Sequence, residues 1–82
     1  MRLDKFLKVS RIVKRRSVAN DAADGGRIDV NGKTAKPSKQ LELGDVVTVH
    51  FGAKSITFKV LVLSEHVRKE DVEKMYEVIS GD

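Results

Sequence analysis

The sequence predicts a single α+β domain over residues 1–82: two short N-terminal helices packed on a small, mainly antiparallel sheet, with a short C-terminal helix. Three observations carry that reading. Apolar residues recur at helical spacing through the first 24 positions. From Arg27 the hydrophobic period changes to two. Turn signals then recur at Asn31-Gly32, Leu43-Gly44-Asp45 and Gly52 to Ser55.

The first helix rests on Leu3, Phe6 and Leu7, spaced i, i+3 and i+4, with Asp4, Lys5, Lys8 and Arg11 on the rest of the circumference. Ser10 interrupts it, and Ile12-Val13 is a brief apolar anchor before Lys14-Arg15-Arg16. A second helix runs from about Arg16 to Asp24. Val18, Ala19, Ala22 and Ala23 form its apolar face, and the small alanines allow close packing. Gly25-Gly26 ends it, because glycine adopts the left-handed C-terminal conformation cheaply. Ile28 and Val30 then alternate with polar neighbours, and Asn31-Gly32 predicts a tight hairpin with a return strand over Lys33 to Lys36, closed by Pro37-Ser38. Further strands are expected over Val46 to Phe51 and Ile56 to Leu63, the latter with Ile56, Phe58, Val60 and Val62 on one face. The tail fits two structures. A helix is expected over Glu70 to Met75, while Tyr76 to Ile79 suits a helix or a short edge strand.

The charge is unevenly placed. Residues 1–41 hold 11 Lys/Arg against 4 Asp/Glu, and residues 42–82 hold 5 against 8, within an overall net charge of +4. Such asymmetry is the footprint of a polyanion ligand. Lys14, Arg15 and Arg16 stand at the start of the second helix, where the dipole is positive and backbone N–H groups lack partners. Each cation there is unfavourable by about 0.3–1 kcal/mol unless an anion binds. Arg2 and Lys5 supplement that site if the two helices pack antiparallel or crossed, Arg11 belongs to the same basic run, and Lys33 and Lys36 flank the hairpin turn.

Little supports catalysis or a cofactor. The chain has no cysteine, its two histidines lie in different segments, and no Gly-rich phosphate loop carries a lysine. No metal-ligand spacing is present, and no apolar run is long enough for a signal peptide or a membrane span, which predicts a cytoplasmic protein. Phe6, Phe51, Phe58 and Tyr76 all fall at positions consistent with core packing, none interleaved with the basic cluster. That favours recognition of RNA shape and phosphates over reading of single strands.

The ordered motifs Arg2-Leu3-Asp4-x-Phe-Leu7, Arg16-Ser17-x-Ala19, Gly26-Arg27-Ile-Asp-Val-Asn31-Gly32, Lys36-Pro37-Ser38 and Leu43-Gly44-Asp45 together resemble the S-four RNA-binding domain, over about residues 2–50. The resemblance implies two short helices on a small sheet, gripping structured RNA with the helices and the hairpin. It implicates Arg2, Lys5, Arg15, Arg16 and Ser17, with Lys33 and Lys36 as lesser contacts, and it makes Asp4 structural, capping or pairing with a neighbouring cation. No catalytic domain accompanies the motif. The stand-alone form is similar to the branch of the family that acts in ribosome-associated quality control. Its heat-shock relatives have a longer basic tail, whereas this chain ends at the acidic Gly81-Asp82. The expected partners are therefore large-subunit ribosomal RNA, peptidyl-tRNA and a factor that tails the stalled nascent chain, bound by a monomer. Two competing readings remain at this level: a general structured-RNA or polyanion binder, and an adaptor docking a protein through the acidic C-terminal half.

Overall fold

The computed structural model describes residues 1–81, and Asp82 lies outside the described residues. Helices α1 (Leu3–Val9) and α2 (Arg16–Asp24) precede strands β1 (Ile28–Val30), β2 (Lys33–Thr34), β3 (Val46–Phe51) and β4 (Lys54–Val60). A 3₁₀ helix (Lys69–Met75) and strand β5 (Tyr76–Gly81) complete the chain. The five strands form one sheet in the order β2-β1-β3-β4-β5, every neighbouring pair antiparallel. The predicted fold class holds.

One core joins the helices to the sheet. Leu3, Phe6 and Leu7 of α1 and Ala19 and Ala23 of α2 are buried together with Ile28, Val47, Val49, Phe58, Val60 and Met75. The alternation Val47/Val49 on β3 and Phe58/Val60 on β4 presents one face of the sheet to the helices. Phe6 stacks on Phe58 with ring centroids 6.1 Å apart, and Tyr76 meets the edge of Phe58 at 5.6 Å. Those rings bolt α1 to β4 and β4 to β5.

Backbone chemistry explains the chain reversals. The α2 terminus is a Schellman arrangement: the Gly26 N–H bonds to the Ala23 carbonyl at 3.0 Å and the Arg27 N–H to the Ala22 carbonyl at 3.0 Å. Gly26, at φ +76°, supplies the left-handed residue, and Gly25 stays at φ −79°. Asn31 (φ 53°) and Gly32 (φ 82°) form the two-residue turn between β1 and β2. The Asn31 side chain also accepts the Val46 N–H at 2.9 Å and donates to Asp45 at 3.1 Å, which pins the turn beside β3.

Several expectations are corrected. The return strand stops at Thr34 instead of Lys36, because residues 37–41 pair instead with the N-terminus: Leu3 N–H bonds to Lys39 O at 2.8 Å, Asp4 N–H to Pro37 O at 3.2 Å, and Leu41 N–H to Met1 O at 2.9 Å. β4 begins at Lys54 and ends at Val60, since the Leu61 and Val62 N–H groups turn to the Met75 carbonyl. Val62 is consequently exposed and leaves the Ile56–Phe58–Val60 face. The expected C-terminal helix is 3₁₀, and of the two structures left open for the tail, Tyr76 onward takes the edge strand, because the free edge of β4 pairs with it from Val60↔Tyr76 to Ile56↔Gly81. Val18 is half-exposed, so α2 buries a narrower face built on alanines. Phe51 is likewise half-exposed, not a core residue. Asp4, expected on the polar circumference of α1, is buried.

The packing predicts a contrast. Phe58→Ala removes the ring that joins both stacks and lowers stability by about 3–5 kcal/mol. Val78→Ala on exposed β5 changes it by no more than about 0.5 kcal/mol. Urea denaturation of both variants checks the difference.

Candidate nucleic-acid interface

Asp4 organises the basic face. It is 2% exposed, and every hydrogen bond it accepts comes from a neighbour that also shapes the surface. Arg2 reaches it with two donors, Nε to Oδ1 at 3.2 Å and Nη2 to Oδ2 at 3.2 Å, a fork geometry. From α2, Arg16 Nη2 donates to Oδ1 at 3.4 Å and Asn20 Nδ2 to Oδ2 at 3.2 Å. Arg16 and Asn20 lie four residues apart, hence on one side of the helix. The Lys5 backbone N–H donates to Oδ1 at 2.8 Å. Burial pushes the Asp4 carboxyl up, but the hydrogen bonds from Asn20, Arg2 and Arg16 and the Arg16 charge outweigh it, holding the group below its ordinary value of 3.8.

This centre points two guanidiniums outward. The Arg2 and Arg16 side chains keep 42% and 47% of their surface exposed while anchored on the same carboxylate oxygen. Each guanidinium carries five N–H donors. Arg2 commits two of them to Asp4 and Arg16 one. Among the described residues the remaining donors make no other hydrogen bond, and a guanidinium held this way suits phosphate oxygens.

The two helix starts differ. At α1 the Leu3, Asp4 and Lys5 N–H groups are taken by Lys39 O, Pro37 O and Asp4 Oδ1. At α2 the residue before the helix, Arg15, makes no side-chain cap, and its carbonyl takes the Val18 and Ala19 N–H groups at 3.1 and 3.2 Å. Among the described residues, no acceptor meets the Arg16 and Ser17 N–H groups. The open helix start is that of α2, with exposed Arg15, Arg16 and Ser17 around it, an arrangement suited to an anion.

The other predicted residues divide by location. Lys33 and Lys36 line a groove on the hairpin with Asn31, Thr34, Ser38 and Lys39. The same loop docks on the backbone of Arg2 and Leu3, where Arg2 bridges Gln40. Arg11 and Lys14 share a second groove with Lys8, on the loop between the helices. Arg11 holds a left-handed φ of 62° there. The Lys5 side chain does not join the Arg2–Arg16 centre. It forms an ion pair with Glu65, whose carboxyl that contact holds below its ordinary value. Sequence reasoning missed Lys39 and Asn20. The three-residue spacing of Lys33, Lys36 and Lys39 was a visible signal for the first, whereas nothing in the sequence ties Asn20 to Asp4, sixteen residues away.

Replacing the buried carboxylate tests this geometry. Asp4→Asn leaves Arg2 and Arg16 without their shared counter-charge and lowers stability by about 1–3 kcal/mol. The pH dependence follows the same sign. A folded-state value below 3.8 means that the Asp4 contribution is complete above about pH 5 and is lost as pH falls through 3.8 toward the folded value. In urea melts at about pH 6 and pH 3, the gap between the native protein and Asp4→Asn should therefore narrow at the lower pH.

Residues 1–47 match the S4 domain family. The chain is 55% identical over 80 residues to the RQC P-site tRNA stabilizing factor of Streptococcus pneumoniae, covering 98% of this chain and 91% of that protein. The protein of the same name from Bacillus subtilis is 49% identical over 82 residues, covering 100% of this chain and 95% of its own length. Among solved structures, the trimeric structure of Vibrio cholerae heat shock protein 15 superposes with a TM-score of 0.88 at 33% identity, over 98% of this chain and 82% of that one. The matched segment contains both helices, the β1–β2 hairpin and the loop docked on Arg2, which are the parts that build the Asp4 centre, and the chain belongs to the S4 domain family.

Proposed function

We propose that this chain is a non-enzymatic RNA-binding factor of ribosome-associated quality control, which binds ribosomal RNA and tRNA on the large ribosomal subunit and steadies the P-site tRNA there. The observation that carries this reading is the Arg2–Asp4–Arg16 centre beside the open start of α2. Two preset guanidiniums, free helix amides and the cations of the adjoining loops form a site for phosphates in a defined arrangement. Contacts of that kind fix position and orientation without reading bases. The mechanism is accordingly positional. The factor holds peptidyl-tRNA in register on an obstructed subunit while a separate tailing factor extends the nascent chain. The S. pneumoniae and B. subtilis relatives, both named RQC P-site tRNA stabilizing factors, support the assignment.

On this reading the chain acts as a monomer. It works in the cytoplasm, where ribosomes are. Among the described residues no helix is long and apolar enough to cross a membrane. Docking through the acidic half is less favoured, because that half is partly neutralised by its own contacts. Asp71 pairs with Lys74 at 3.2 Å, and Glu65 pairs with Lys5.

Co-sedimentation with large subunits tests the proposal. Arg2→Ala and Arg16→Ala should each weaken binding strongly and flatten the slope of log affinity against log salt by about 0.7–0.9 for each phosphate that is no longer neutralised. Arg16→Lys should recover only part of the affinity, because an ammonium cannot reproduce the fork. Normal sedimentation of both alanine variants would overturn the site.

A further inference from the structure

Three of the four aromatic rings pack on one another, Phe6 on Phe58 and Phe58 on Tyr76. Phe51 stands apart from them. It is 51% exposed at the end of β3 and pairs with Lys54 across the two-residue Gly52-Ala53 loop. Its ring borders two grooves. One is lined by Arg11, Ile12 and Lys54, the other by Val13, Val18 and Arg27. Among the described residues, Asp21 is the one carboxylate lining either groove.

We propose that Phe51 is a stacking platform for an unpaired nucleobase of the RNA held at the Arg2–Arg16 centre. This inference rests on the RNA-binding reading and adds to it a contact with a base. A single exposed phenylalanine is ordinary on a protein surface. Here the ring has the surroundings that stacking requires: cations on both sides for the backbone, and an apolar floor for the base. Val18, 52% exposed in the first turn of α2, continues that floor to Ser17 and Arg16 at the open helix start. The backbone that carries the ring is also preorganised by a strand end and a tight hairpin, which limits the ordering that stacking requires. Charge selects the occupant. Arg11, Arg27 and Lys54 complement a polyanion, whereas an apolar or basic peptide segment would gain nothing from them.

The chain contains no tryptophan, so Phe51→Trp makes the site its own reporter. Two RNA probes of equal phosphate count are compared, a hairpin with an unpaired loop and a blunt duplex. The expected result is quenching of the indole by the hairpin and not by the duplex. Phe51→Ala, checked for folding by circular dichroism, should reduce the ratio of hairpin to duplex affinity by about tenfold. Arg16→Ala serves as the reference and should weaken both RNAs. An unaltered ratio in Phe51→Ala, or equal quenching by the duplex, overturns the stacking role while leaving the phosphate site in place. If Arg16→Ala binds both RNAs normally, the RNA-binding reading fails and this inference fails with it.

Discussion

A buried carboxylate with three charged or polar side chains arranged around it is the interaction on which this domain depends. Asp4 ties the first turn of α1 to the exposed side of α2 through Arg16 and Asn20. An ion removed from water is stable only when its hydrogen-bonding capacity is met by close partners. Two of those partners are long basic side chains, and satisfying Asp4 therefore also fixes the outward aim of Arg2 and Arg16. Folding and the preparation of the ligand surface are consequences of one electrostatic requirement.

The sheet supports that junction from below. Phe6 stands on Phe58, whose own position is set by β3 on one side and by Tyr76 of β5 on the other. A small domain has little apolar area to bury, so each ring counts for much. The edge strand β5 uses its first residue, Tyr76, to close the core and leaves Val78 and Ile79 exposed. The loop after β2 has a similar double use. Its carbonyls satisfy the start of α1, and its lysines extend the basic surface beside Arg2.

The cations do not form one uniform patch. Arg2 and Arg16 are held, Lys5 is diverted to Glu65, and the remaining lysines and arginines of the basic half project from loops, the hairpin and the helix surface. Held guanidiniums lose little side-chain entropy on meeting phosphate, whereas free lysines lose more. On the proposed reading the affinity of the surface is concentrated at a centre, and the surrounding charges add long-range attraction.

Much of this was legible in the residues alone. Periodicity marks α1, α2 and the central strands, Asn31-Gly32 marks the hairpin, and the crowding of seven basic side chains into the first sixteen positions marks the basic half. These features are local, and local spacing encodes them. Tertiary structure decided everything that depends on residues distant in sequence. It buried Asp4 by bringing Arg16 and Asn20 to it, and it sent Lys5 to a residue sixty positions away. It made Tyr76 to Gly81 a strand because β4 offered a free edge, and it left Phe51 half-exposed at the end of β3, beside the Gly52-Ala53 turn. The apolar period of β3 shows that Phe51 shares a face with Val47 and Val49, but only the packing around the strand decides that Val47 and Val49 are covered while Phe51, at the strand's end, stays half-exposed.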